Sequence, residues 1–328
     1  MKKILNIILI INLVTFATSP NLGTSGAQFL KLTADARSAA LGSATVATSY
    51  GANSVFSNPA GVAAITQADV SLSYSRMFSM FDYTSVAVAN NFAFGNFAIL
   101  FTSFKTDEME IITEKQPNGT GRKFDAQDFT LGISYGRFLT NSFSVGATVK
   151  YVEQRIWNEK AATVAFDVGT RYTLDFNNLT IAMSMTNFAP DMKFDGEDLN
   201  ISYDKDKLIP TNRPSPARLM TTDFPLPLNF QIGVALDLYK DENYQWLFEV
   251  DALHPNDNVE RVHFATEINI FEYFSLRGGY KIKHDTENYS FGLGVKIPIE
   301  DYSILFDYAY VNKKYLSPIN KITVSLAF

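Results

Sequence analysis

LNFQIGVALDLYKDENYQWLFEVD, residues 228–251, decides the fold class. Leu228, Phe230, Ile232, Val234 and Leu236 alternate with Asn229, Gln231, Gly233, Ala235 and Asp237. A short polar connection, KDEN at 240–243, follows. Tyr244, Trp246, Phe248 and Val250 then oppose Gln245, Leu247, Glu249 and Asp251. A period of two places alternate side chains on opposite faces of an extended chain, so both stretches read as half-buried β-strands.

The same pattern runs through most of the chain. In VSLSYS (70–75) three serines alternate with Val70, Leu72 and Tyr74, and FSVGATVKY (143–151) repeats the alternation. Fourteen such runs can be read, at about 68–77, 83–91, 94–105, 127–138, 142–156, 160–173, 178–187, 227–239, 244–254, 260–271, 274–284, 288–298, 302–312 and 319–328. Most have the length a tilted strand needs to cross a bilayer. The connections at 139–142, 175–178 and 240–243 are short, whereas 106–126 and 188–226 are long. If the first strand rises from the periplasm, both long gaps fall outside the cell, the loop asymmetry of outer-membrane barrels with an even strand number. An open sheet in lipid would leave edge backbone groups unpaired, so the predicted fold is a closed, all-β transmembrane antiparallel barrel of about fourteen strands. KITVSLAF (321–328) then pairs with the first strand to close it, and the terminal Phe328 resembles the signal read by bacterial barrel-assembly machinery.

Composition agrees. At 328 residues the chain could hold one large domain or two average ones. The formal charge of −6 argues against nucleic acid as a partner, since phosphate binding needs a basic surface. Aromatics reach 14% and charged residues only 19%, more aromatic and less charged than a typical soluble domain. Absence of cysteine excludes disulfides, thiolate catalysis and Cys-ligated zinc. Residues 1–19 combine Lys2 and Lys3 with an apolar stretch and small residues, which predicts a cleaved export signal. The expected organisation is a signal at 1–19, an N-terminal segment at 20–67 and a barrel at 68–328, in the bacterial outer membrane.

Residues 23–66 read GTSGAQFLKLTADARSAALGSATVATSYGANSVFSNPAGVAAIT. In NPAG, which is turn chemistry, Pro59 presets φ and Gly61 permits a conformation other residues avoid. Asn58, before proline, is pushed away from helix. Small residues around Ala39–Ala44 permit close backbone packing. Arg37 is a lone charge in a small, apolar stretch and, if buried, needs carboxylate partners. Alternation points Asp237, Glu249, Asp251, Glu267 and Asp307 inward, with Lys150, Arg277, Lys281 and Lys321. The expectation is that one or more of those acids hold Arg37. The elements Phe29-Leu30, Ala36-Arg37, Ala39-Ala40-Leu41-Gly42, Val46-Ala47 and Asn58-Pro59-Ala60-Gly61 closely resemble the N-terminal signature of the PorV/PorQ family, relatives of the FadL-type outer-membrane transporters. The resemblance implies a fourteen-stranded barrel whose N-terminal segment folds inside as a plug.

Motifs for catalysis are missing. His254, His263 and His284 lie on separate runs, with no HExxH, and there is no GxSxG. GLG at 292–294 lies within a strand. Neither enzyme, cofactor nor metal is expected. Residues 188–226 are long, polar and proline-rich, so they and 106–126 are the expected partner surfaces. Resemblance to PorV and PorQ implies a component of type IX protein secretion or surface attachment, meeting secretion-system components or exported cargo. Resemblance to FadL implies the alternative, transport of hydrophobic small molecules. Leu247 and Leu305, apolar residues on the inward face, would serve that role.

Overall fold

Alternating serine and apolar residues build the first wall strand, and the same in-and-out alternation builds the other thirteen. The computed structural model describes residues 21–204 and 215–328. The export-signal reading of 1–19, and 205–214 within the long 188–226 connection, lie outside the described residues. The wall strands are β1 (Asp69–Met77), β2 (Phe81–Phe92), β3 (Gly95–Thr106), β4 (Ala126–Phe138), β5 (Phe143–Ile156), β6 (Glu159–Thr173), β7 (Thr180–Phe188), β8 (Asn229–Lys240), β9 (Tyr244–Pro255), β10 (Arg261–Ile270), β11 (Phe274–Ile282), β12 (Glu287–Ile299), β13 (Tyr302–Lys313) and β14 (Ile319–Ala327). Every end falls within two residues of its sequence expectation.

Each strand pairs antiparallel with its neighbours, and β14 returns to β1 with Asp69 opposite Ala327 and Tyr74 opposite Ile322, closing the barrel. Phe328 adds one further bond, its N–H donating to Ala68 O at 2.9 Å. Closure leaves no edge to be unsatisfied in lipid.

Burial is inverted relative to a soluble protein. On β1, Ser71, Ser73 and Ser75 are buried while Leu72 and Tyr74 are exposed. On β4, Ser134 is buried and Ile133 exposed. The apolar rows face outward, to hydrocarbon, and the polar rows face the lumen. Around the short-turn end, Phe92, Phe138, Tyr172, Tyr239, Tyr273 and Phe328 are exposed aromatics, the girdle expected where a barrel meets the headgroups.

The two long connections at the other end carry structure of their own. Met109–Glu110 pairs with Lys123–Phe124, and Asn200–Tyr203 pairs with Ser215–Arg218. Met192 bridges Phe224, and Asp195 bridges Lys160 of β6, tying the longer connection to the wall.

The N-terminal segment lies against the inward faces of the strands. It contains a 3-10 turn (Gln28–Lys31), a short helix α1 (Ala36–Ala40) and two further 3-10 turns (Ala52–Phe56 and Pro59–Ala64). Helix α1 contacts β11 to β14, Ala52–Phe56 contacts β1 to β3, and Pro59–Ala64 contacts β3 to β6. Val46 and Ala47 pack on Ala182 and Ala235, and Leu41 and Ala44 on Ala265. The small residues make these approaches possible. The segment starts at the long-loop end, where Gly26 N–H donates to Pro225 O, and reaches the short-turn end before β1 begins.

Candidate functional site in the lumen

The site is built where the N-terminal segment meets the wall charges. Asp35 caps α1, its carboxylate accepting from Ser38 N–H at 2.8 Å. The helix then aims Arg37 at β10. Arg37 Nε and Nη2 donate to the two oxygens of Glu267 at 3.2 and 2.6 Å, and Nη1 donates to Thr48 O at 3.2 Å. Glu267 also accepts from Arg277 Nε at 2.6 Å, and Arg277 bonds Asp307 in turn. The Arg37 guanidinium stands 4.6 Å from the centroid of the Tyr50 ring. Burial opposes the Arg37 charge, but Glu267 outweighs it and holds the guanidinium firmly protonated. The result is a buried chain of alternating charge, Arg37–Glu267–Arg277–Asp307, in which each charge has a partner.

Glu249 and Asp251 bond backbone instead. Glu249 accepts from Ala47 N–H at 2.7 Å and from the Thr48 hydroxyl, and Asp251 accepts from Val46 N–H at 3.2 Å and Gln231 at 2.8 Å. Glu267, Glu249 and Asp251 therefore bond the segment directly, and Asp307 joins through Arg277. Asp237 does not reach it. Asp237 lies by the register shift between Asp237 and Tyr239 at the short-turn end, where Asn178 and Gln245 take its carboxylate.

Asn58 is buried in extended conformation and caps the Pro59–Ala64 turn by accepting from Ala60 N–H at 3.0 Å. Its amide donates to Val46 O at 3.0 Å and Thr170 O at 3.2 Å, joining two parts of the segment to β6. Pro59 occupies the first turn position, where its missing N–H costs nothing. Gly61 corrects the sequence expectation. Its φ is not positive; a Cβ there would stand 2.6 Å from Ser54 Cβ, so glycine is required for close approach rather than for conformation. Gly42 does take a positive φ, +62°, with its backbone against Gly279. Ala36 N–H donates to Thr323 Oγ1 at 2.7 Å, and Ala60 O accepts from Ser144 Oγ at 3.2 Å. Phe29 is buried and Leu30 half-buried in an apolar cluster with Val152, Met192 and Leu226, which joins the segment to the longest connection. Phe328 stands at the opposite end, its ring 6.1 Å from Tyr302.

Sequence reasoning missed several participants. Gly136, Gly146 and Gly169 lie in one row across β4, β5 and β6. A Cβ on Gly146 would stand 2.3 Å from Pro59 C, and one on Gly169 1.9 Å from Asn58 Oδ1. Glycine inside a strand signals such an approach, so this row was readable. Asp257, between β9 and β10, holds Lys31 at 2.6 Å and also accepts from Ser25 and Gln28. No local pattern marked it.

Space remains on both sides of α1. A cavity of about 350 Å³ opens at the long-loop end, and two of about 300 and 310 Å³ lie toward the short-turn end. Asp35 and Ser38 line both the first and the second, so the capped helix start stands between them. Leu305 borders the second and Leu247 the third, beside Arg37 in each case. Among the described residues no group of three metal-ligating side chains occurs.

Comparison with known proteins places this geometry. A family described as "Type IX secretion system protein PorV" matches residues 17–245. No curated protein matches the chain in sequence. Among solved structures, the toluene transporter TbuX of Ralstonia pickettii is similar at 12% identity and a TM-score of 0.55, covering 90% of this chain and 98% of that one. The toluene transporter TodX of Pseudomonas putida gives 12% and 0.55, covering 90% and 97%. A FadL homologue of Pseudomonas aeruginosa gives 11% and 0.55, covering 90% and 98%. At such identities the likeness is one of fold.

Proposed function

We propose, from the premise that this chain belongs to the PorV family of type IX secretion system proteins, that it serves secretion from its outward surface and not as a conduit for polypeptide. It is an outer-membrane β-barrel of that secretion system. The observation that carries the proposal is the occupied lumen. Residues 26–65 bond or pack against the inward face of nearly every strand, and Glu249, Asp251 and Glu267 each bond the segment. In this reading residues 20–67 are a plug, with Arg37 as its latch, and polypeptide cannot share the lumen with it.

The work then falls to 106–126 and 188–226, which meet exported cargo or other secretion components. Lipid contacts the outer apolar rows, and assembly machinery reads the last strand through Phe328. The chain carries out no reaction itself. The test is a comparison of surface and medium proteins between wild type and a strain lacking this chain, complemented with a variant in which 197–218 is replaced by a short turn. Loss of a set of exported proteins in both strains is expected. Full secretion with the shortened loop would refute a role for that surface.

A second reading, transport of hydrophobic small molecules, is favoured by the fold shared with two toluene transporters and by Leu247 and Leu305 on the inner cavities. Arg37, Asp307 and Lys296 border the cavity beside Leu305, which weighs against an apolar path. Impaired toluene or fatty-acid uptake with an intact set of exported proteins would favour this second reading over the first.

A further inference from the structure

The cavity at the long-loop end carries charge and unpaired groups that the secretion role does not use. It lies between the start of the N-terminal segment and the upper parts of β8 to β12. His263 lines it, is only 3% exposed, and among the described residues has no hydrogen-bond partner on either ring nitrogen. Arg261 and Ser57 line the same cavity, and Arg261 Nε and Ser57 Oγ are likewise buried with no partner among the described residues. A buried polar group left unpaired is costly, and four such atoms on three residues that line one cavity point to a bound species.

Their chemistry selects its class. His284, with its ring centroid 6.4 Å from that of His263, accepts Thr286 N–H and Glu287 N–H at Nδ1, which leaves Nε2–H as a donor. Burial and the nearby Lys281 ammonium push His284 down to about 3, so this tautomer is neutral. Lys281 and Lys313 both line the cavity and share the single carboxylate of Glu287, and Asp35 lines it as well. Arg261 and Lys31 line it as well, each with one acid partner. Two histidines might suggest a metal ion. The cations around them repel one, and no third ligand stands with them. Ring and guanidinium donors beside two ammonium groups that share one carboxylate call for an oxygen acceptor with negative charge.

We infer that this cavity binds a small hydrophilic oxyanion, a carboxylate or an inorganic oxyanion, between His263, His284, Arg261 and the Lys281–Lys313 pair. The volume, about 350 Å³, suits a compact molecule. The inference goes beyond the secretion role and stands whether or not that role holds.

The test is equilibrium dialysis of the purified full chain in detergent against labelled succinate, sulfate and decanoate. Saturable binding of succinate or sulfate is expected, about tenfold weaker in His263→Phe and in Arg261→Gln, and unchanged in Lys296→Gln. Succinate alone would identify a carboxylate ligand, and sulfate alone an inorganic one. Diethyl pyrocarbonate labelling of His263 in the unaltered protein supplies a second readout that needs no variant. The binding anion should protect the ring. Absence of saturable binding by both anions, no protection, or decanoate bound more tightly with the same variant sensitivity would overturn the inference.

Discussion

Arg37 and Glu267, 230 residues apart in the chain, meet inside the barrel through two hydrogen bonds, at 2.6 and 3.2 Å. The two ends of this pair are not equivalent. Arg37→Ala leaves Glu267 with Arg277, whereas Glu267→Ala leaves the buried Arg37 charge without its carboxylate and Arg277 with Asp307 alone. Removing one partner of a buried pair costs about 3–5 kcal/mol when the other is stranded. Glu267→Ala should lose that much in denaturant unfolding, and Arg37→Ala clearly less. Both should raise pore conductance in planar bilayers and expose residues 26–65 to protease. An Arg37→Ala protein with unchanged conductance and protease resistance would contradict the latch.

The glycine row on β4, β5 and β6 should behave as a seat. Gly146→Val places side-chain atoms where Pro59 and Ala60 now stand. Overpacking of this kind costs about 1–3 kcal/mol. The expected result is a folded barrel, heat-modifiable on gels, whose 58–65 region exchanges amide hydrogens faster. Unaltered exchange there would mean the seat is not needed.

Asn58 performs two tasks that substitution can separate. Asn58→Ala loses the turn cap and both donations, for about 1–3 kcal/mol. Asn58→Asp keeps an acceptor for Ala60 N–H but turns a carboxylate toward Val46 O and Thr170 O. If the donations matter more than the cap, the aspartate variant unfolds at least as readily as the alanine variant. A wild-type midpoint for Asn58→Asp would assign the role to the cap alone.

Acid should loosen the start of the N-terminal segment. Burial pushes the Asp257 carboxyl up, but Lys31, Ser25 and Gln28 outweigh it and hold the group below the usual carboxylate range. A lowered folded value means the contact stabilises fully above the ordinary aspartate value, about 3.9, and is lost as pH falls through the lower folded value. Amide exchange over residues 25–31 should therefore accelerate below about pH 4. In Asp257→Asn that exchange should already be fast at neutral pH and show no acid step. A step that survives in the asparagine variant would place the titrating group elsewhere.

The wall was legible because its physics is local. One face in lipid and one in a polar lumen force a period of two, so strands such as β8 and β9 announce themselves residue by residue. Arg37 was legible as a charge in need of a partner, and Glu267 as one of five inward acids. Which acid it meets depends on how far α1 sits along the barrel, and no local pattern encodes that. The same holds for Asp237, whose neighbours are set by a register shift. Gly61 was misread because turn chemistry and close approach both select glycine, and only the position of Ser54 tells them apart. His263 and His284 looked unrelated because they belong to successive strand regions, and the β10–β11 pairing is what brings their rings together.

The path of the N-terminal segment has a consequence for how the molecule is made. The segment enters β1 at the short-turn end, while residues 25–31 sit at the opposite end, clasped by Asp257. Pulling it through a finished cylinder from the short-turn end would drag Lys31 past Glu267, Glu249 and Asp251 before it met Asp257. A sheet that curls around the segment meets no such obstacle, and each wall charge finds its partner as its strand arrives. The β1–β14 seam is then the last joint to form, and the segment acts as the mandrel on which the cylinder is wound.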